Sequence, residues 1–335
     1  MRKNLSYIIF FLYTPIFIIE LFLYIFFKKR NSQNSYQYFI KLFSLFGYKP
    51  LKFISFFLSY RKKKIQNKLN LENIFNSRIA LKDATIHLNK KGFFLRRNFL
   101  KKAVIKDILK FLNKKKGFYY SDSYKSEKMF NLNLSKPKAT KFTYKANDLI
   151  QSKDIQNLLV SPTILSVAQN YLGCLPKIDI LTAWWSFPSK KADSSAAQYW
   201  HFDLDRPKWI KVFFFLTDCR EKNGPHKYIE GSHKVISNDI RRKGYVRLMD
   251  QEVELHSIHE KIKVFTAEMG SILFEDTIGL HKGQKVERGS RLILQFQYSS
   301  SLFGSEIERI KLPKHQSENF LSYRKKYREM FEVFN

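Results

Sequence analysis

Six short apolar stretches between Tyr199 and Tyr298, each followed by turn-forming residues, most constrain what this chain can fold into. They run over residues 199–204, 210–217, 226–229, 262–265, 271–274 and 291–298. Short runs rich in β-branched and aromatic residues, bounded by Gly, Pro, Asn and Ser, read as strands. The turn Lys222-Asn223-Gly224-Pro225 leads into the third stretch, and Gly231-Ser232 follows it. Many short strands separated in this way predict a double-sheeted jelly roll, a double-stranded β-helix. The expected fold is mainly β with flanking helices.

The helices lie outside that run. Ala103 to Leu112 carries apolar residues at helical spacing, with Lys106, Asp107 and Lys110 on the other side. Ser161-Pro162-Thr163 opens a second helix through Tyr171, with proline where a first-turn proline is tolerated. Ile178 to Phe187 reads as a further strand, and residues 189–195 as a mobile loop. Residues 119–150 show no clear period, and 235–260 are charged and aperiodic, an insertion between core strands. The tail places Phe320, Tyr323, Tyr327 and Phe331 at helical spacings, which suits a docking helix. The chain therefore divides into a hydrophobic and basic segment (1–64), a connector (65–85), the jelly-roll domain (86–310) and a helical tail (311–335).

The first segment has a separate logic. Tyr7 to Phe27 is an almost unbroken apolar run between Arg2-Lys3 and Lys28-Lys29-Arg30. Its length approaches the ~20 residues that span a bilayer core. Pro15 and Glu20 oppose insertion, so an interfacial helix stands beside the spanning anchor as an alternative. Tyr36 to Tyr60 is aromatic but broken by lysines, a pattern of helices lying on a membrane surface, and Arg61-Lys62-Lys63-Lys64 adds a patch suited to anionic lipid. The heavier basic flank follows the run, which predicts membrane association with the β-rich domain facing the cytoplasm.

Composition narrows the class. Hydrophobic residues make up 44% of the 335, enough for a sizeable core. A formal net charge of +31 invites a nucleic-acid reading, but no arginine-rich arm or nucleic-acid motif accompanies it. Lysine usage over a solvated surface accounts for the charge better. Cys174 and Cys219 are far apart and form no CxxC, which argues against a disulfide framework and a zinc site.

The chemistry is concentrated at Trp200-His201-Phe202-Asp203. Residues two apart on a strand leave the same face, so His201 and Asp203 make a pair of metal ligands. His281 follows the strand-like run Gly270 to Asp276 and supplies a third. Two histidines and a carboxylate on one face form the facial triad of non-haem Fe(II) sites. The strand from Arg291 to Gln297 gathers Arg291, Gln295 and Gln297 on one face, which suits a dicarboxylate pocket. Arg288 is a weaker candidate for that role. Trp200, His226 and His233 read as packing, structural or surface residues.

These pieces resemble the phytanoyl-CoA dioxygenase-like family of Fe(II)/2-oxoglutarate oxygenases. The resemblance covers roughly residues 86 to 300. Gly92-Phe93-Phe94-Leu95 with Asn98-Phe99-Leu100 is similar to the family's opening, and Trp200 to Asp203 to its proximal ligand motif. Leu216-Thr217-Asp218, Asn223-Gly224-Pro225 and Gly231-Ser232-His233-Lys234 resemble its strand, turn and tail. Asp276 to His281 resembles the distal ligand, and Arg291 the co-substrate arginine. The resemblance implies a cupin-like core, with His201, Asp203 and His281 holding Fe(II) and Arg291 holding 2-oxoglutarate. It also implies O2 as oxidant, succinate and CO2 as co-products, and oxidation of an aliphatic C–H of a small-molecule or lipid-like substrate. Asp203, absent from halogenating relatives, favours hydroxylation. A catalytically silent jelly-roll binding protein on a membrane is the alternative from another class.

Overall fold

The computed structural model describes residues 2–27, 31–59, 64–65, 72–244, 247–254 and 261–335, with side chains of the first helix from residue 14 onward. Three helices open the chain: α1 (Arg2–Phe27), α2 (Gln33–Phe46) and α3 (Tyr48–Ser59). Then come α4 (Leu81–Lys91), β1 (Phe93–Arg96), α5 (Lys102–Leu112) and β2 (Lys116–Ser121). The two-residue strands β3 (Tyr124–Lys125) and β4 (Phe130–Asn131) precede β5 (Lys141–Tyr144). Helices α6 (Ala146–Leu149), α7 (Lys153–Leu159) and α8 (Pro162–Leu172) lead into β6 (Lys177–Ser186). β7 (Trp209–Phe215) and β8 (His226–Ile229) are followed by the short α9 (Asn238–Arg242) and α10 (Asp250–Glu254). The remaining strands are β9 (Ile262–Phe265), β10 (Ile272–Glu275), β11 (His281–Gly283) and β12 (Arg291–Ser299), with α11 (Glu318–Lys326) near the C-terminus.

The strands form two antiparallel sheets. The larger has the order β1-β10-β7-β12-β6-β5-β2-β3, with β4 also on β2; the smaller is β11-β8-β9. Alternation along β12 shows why both faces of the large sheet are buried. Leu292, Leu294 and Phe296 join the core beneath the helices, while Ile293 packs with Phe213, Phe215, Tyr228 and Phe265 between the sheets. Removing one such aromatic from water contributes ~1.5–3 kcal/mol, so the sandwich is held from within and without.

Local signals set the helices behind the sheet. α5 buries Ile105, Ile108 and Leu112, one stripe at spacings of three and four. In α8, the Ser161 hydroxyl accepts from the Ile164 amide, Pro162 stands in the first turn, and Gly173 ends the helix at φ 79°. Five of the six expected strands in the second half are present with close boundaries. The sixth, 199–204, is extended but makes only single bridges, Trp200 to Leu248 and His201 to His281. Its neighbours are themselves a loop and a three-residue strand, so no ladder can propagate.

Two further expectations are corrected. Among the described residues no helix is long and apolar enough to cross a membrane, and the spanning anchor over 7–27 is not found. The described half of α1 lies on the domain instead. Phe17 and Tyr24 are buried against Phe303, and the Tyr24 hydroxyl accepts from the Leu302 amide at 2.8 Å. Glu20 accepts from the Ser32 amide at 2.7 Å, so its carboxylate serves a helix N-terminus. The tail is not one continuous helix: the α-helix Glu318–Lys326 is followed by a 3-10 turn, Arg328–Phe331, and the two ends of the tail pair, the Ile310 amide donating to the Val333 carbonyl at 3.1 Å. Phe320, Tyr327 and Phe331 are buried in the main core, consistent with docking.

Candidate metal centre

The fold brings His201, Asp203 and His281 to one point. Ligand atoms of the three lie within 4.8 Å of one another, and all three residues are buried. The backbone holds the two histidines together: each amide donates to the other's carbonyl, at 3.0 and 2.9 Å. Their rings lie 4.2 Å apart between centroids. Each Nδ1 sits 2.9 Å from a carbonyl, that of Tyr199 for His201 and of Gly279 for His281. A carbonyl only accepts, so Nδ1 carries the proton and Nε2 presents its lone pair to the centre.

Electrostatics favour the ligand forms. Burial drives the His201 pKa well below its ordinary value, assisted by His281, and burial likewise lowers His281. Both imidazoles are neutral donors at physiological pH. Burial alone would raise Asp203, but the Lys211 ammonium, which also donates to it, overcomes that effect and holds the carboxyl well below the usual range. The Lys211 ammonium lies 2.6 Å from Asp203 and 3.6 Å from Asp205. These three side chains fit a divalent cation: two neutral nitrogens and one anionic oxygen converge on it.

Arg291 lies on the same pocket, which has a volume of about 290 Å³. It is 6% exposed. Its Nη1 donates to the Gly224 carbonyl and its Nη2 to the Ser186 hydroxyl at 3.5 Å, while Nε has no partner. Among the described residues no carboxylate pairs with this buried guanidinium. An orphaned donor on a buried cation fits the distal carboxylate of 2-oxoglutarate. Gln295 also lines the pocket, but Gln297 does not: it donates to Asp179 at 2.8 Å, in a buried cluster with Arg206. Arg288 is exposed in the turn before β12.

Three pocket residues escaped the sequence reading. Lys211 had a signal, being one lysine inside the apolar strand Trp209–Phe215. Lys141 had none. Strand register sets both it and Arg291 opposite Ser186, so a row of two cations crosses three strands. Burial, with Arg247, Lys211 and Arg291 nearby, pushes Lys141 down to about 8. His226, read as structural or surface, lines the pocket with its ring 5.5 Å from His281. Its Nε2 lies 2.9 Å from Glu275. Burial lowers His226 to about 3 and raises Glu275 to about 8, so the contact joins neutral partners and is no ion pair. The loop expected to be mobile beside the site is pinned: Asp122 accepts from the Ser194 and Ser195 amides, and Asp193 from Ala196.

Two packed antiparallel sheets with this His-Asp-His centre, and a buried arginine that meets no carboxylate among the described residues, have the features of the mononuclear non-haem iron oxygenase class. The sequence carries the assignment further. Residues 88–286 match the family model described as phytanoyl-CoA dioxygenase (PhyH), and the chain belongs to that family. It is an Fe(II)- and 2-oxoglutarate-dependent dioxygenase that uses O2. No curated protein matches it in sequence. Among solved structures it is similar to the α-ketoglutarate-dependent epimerase SnoN of nogalamycin biosynthesis, at 15% identity over 66% of this chain and 83% of that one, with a TM-score of 0.49. HygX from Streptomyces hygroscopicus, with nickel, 2-oxoglutarate and hygromycin B bound, is 13% identical over 69% and 90%, with a TM-score of 0.46. EctD from S. alaskensis is 15% identical over 77% and 91%, with a TM-score of 0.47.

Proposed function

We propose that His201, Asp203 and His281 bind one Fe(II), that Arg291 receives the far carboxylate of 2-oxoglutarate, and that the enzyme hydroxylates an aliphatic C–H of a small or lipid-like molecule. The observation that carries this reading is the convergence of three ligand atoms within 4.8 Å, with both imidazole tautomers set by backbone carbonyls. Bound there, iron supplies the redox chemistry that couples oxidative decarboxylation of 2-oxoglutarate, giving succinate and CO2, to oxidation of the substrate. The chain's own part is positional. The His201–His281 backbone pair fixes two ligands, Lys211 keeps Asp203 ionised, and Arg291 orients the co-substrate.

Anaerobic addition of Fe(II) and 2-oxoglutarate should produce a visible metal-to-ligand charge-transfer band. His201→Ala, Asp203→Ala and His281→Ala should each abolish that band and substrate oxidation. A full band with stoichiometric iron in Asp203→Ala would overturn the ligand assignment.

The same reading includes a seat on a membrane surface, with the catalytic domain facing the cytoplasm. Exposed Ile18, Ile19, Phe22, Phe26 and Phe27 on α1, and Phe53, Phe56 and Phe57 on α3, support it. Carbonate washing should strip the protein from membranes, and protease added to sealed right-side-out cells should leave the jelly roll intact. Digestion of the domain in such cells would refute the orientation.

A further inference from the structure

A second cavity, of about 340 Å³, is lined by α3, by Pro207, Lys208 and Trp209 at the start of β7, and by Asp276 and Ile278. It shares no lining residue with the iron pocket. Its walls combine two chemistries. Leu51, Phe56, Trp209 and Ile278 give it apolar surface, and Lys52, Lys208 and Lys234 bring three ammonium groups to it. The carboxylate among its lining residues, Asp276, is bonded to the Tyr171 hydroxyl, and burial raises its pKa. Three lysines against this one carboxylate leave the cavity with an excess of positive charge, and Lys208 donates to the Tyr171 carbonyl and lies over its ring. One partly buried lysine, Lys208, and two exposed ones at the rim, Lys52 and Lys234, beside apolar walls favour a ligand with an anionic head and a hydrocarbon part.

The setting of the mouth identifies the source. Phe56 belongs both to the cavity lining and to the exposed face of α3, where Phe53, Phe56 and Phe57 are 65%, 60% and 48% exposed. Lys49 and Lys52 stand one turn before these aromatics on the same exposed face. Aromatics flanked by lysines form a surface complementary to an anionic bilayer, and the cavity opens from it. We propose that the cavity binds one anionic lipid, its head between Lys52, Lys208 and Lys234 and its acyl part along Leu51 and Phe56 toward the bilayer. This site is distinct from the iron centre and stands whether or not the oxidised substrate is a lipid.

Calorimetric titration of the full chain with dioctanoyl phosphatidic acid, kept below its micelle concentration, tests the proposal. Saturable one-to-one binding is expected, with dioctanoyl phosphatidylcholine and inorganic phosphate each at least tenfold weaker. K52E/K234E, which changes two exposed side chains, should weaken the acidic lipid at least tenfold. Ser59→Trp, at the mouth, should weaken it comparably. Phe53→Ser, outside the lining, should leave this affinity unchanged. Equal binding of the zwitterionic lipid, or of inorganic phosphate alone, would overturn the assignment. So would wild-type affinity in both cavity variants, or a loss in Phe53→Ser as large as theirs.

Discussion

Arg291 is the residue at which the pocket's chemistry can be read most directly. Its guanidinium is buried, its Nε is unpartnered, and it faces no carboxylate among the described residues. A charge-assisted, desolvated contact is worth ~1.5–3 kcal/mol. Arg291→Leu should therefore raise the 2-oxoglutarate concentration needed for half of the charge-transfer band by at least tenfold, with iron content unchanged. Arg288→Leu, altering an exposed turn residue, should leave that titration as it was. Glu275 offers a different readout. Burial raises its pKa to about 8, so the folded chain holds a proton that the unfolded chain releases near the ordinary value of 4.5. The stability tied to that proton is complete below the unfolded value and is lost as pH rises through about 8. Thermal unfolding of the metal-free protein should thus fall between these limits, and Glu275→Gln should flatten that part of the profile.

At the scale of elements, the turn between β7 and β8 links fold to site. Gly224 has φ 71°, and a Cβ there would lie 2.9 Å from Val286 Cγ2, with the Gln284 carbonyl also in the way. Its carbonyl is also the acceptor for Arg291 Nη1. Gly224→Ala should consequently destabilise the fold by ~1–3 kcal/mol and weaken 2-oxoglutarate binding in the same variant. A melting curve and a co-substrate titration together check both effects. This turn was legible in the sequence because Asn-Gly-Pro states its geometry locally. So were α5, α8 and the strands after Trp209, whose patterns lie within one element. Lys141 was not legible, because its place depends on β5 pairing with β6, across a stretch without period. The 199–204 stretch was legible as extended chain and as ligand source. Its pairing was not, since single bridges to Leu248 and His281 are fixed only by the closed fold.

For the whole molecule, the three N-terminal helices show what sequence patterning leaves open. The apolar run reads as membrane-spanning by length, yet Phe17 and Tyr24 face Phe303, and Phe39 and Phe43 are completely buried in the same cluster. Partner surfaces far along the chain, Phe303 for Phe17 and Tyr24 and Phe202 for Phe43, decide which apolar face is core. What remains outward is the face proposed to meet lipid. Burying a phenylalanine in a lipid interface is worth up to ~1.5–3 kcal/mol. Phe22→Ser/Phe57→Ser should therefore cut co-sedimentation with anionic vesicles by at least tenfold while leaving the melting curve and the charge-transfer band intact. Unchanged co-sedimentation would remove α1 and α3 from the contact.

The mutual backbone hydrogen bonds of His201 and His281 carry a consequence for how the metal comes and goes. These ligands are separated by a long loop, and closing it costs chain entropy that grows with loop length. Here backbone hydrogen bonds within the fold close that loop, so coordination is expected to complete a chelate whose two imidazoles the backbone already holds together. Chelators should extract the iron without unfolding the chain, unlike a zinc finger, whose order depends on its ion. Denatured protein should regain its jelly roll in metal-free buffer, and the ion should then enter in one fast step. A donor set closed in advance also has little room to spread, so the size of the ion, more than its intrinsic affinity, should govern which metals the enzyme accepts.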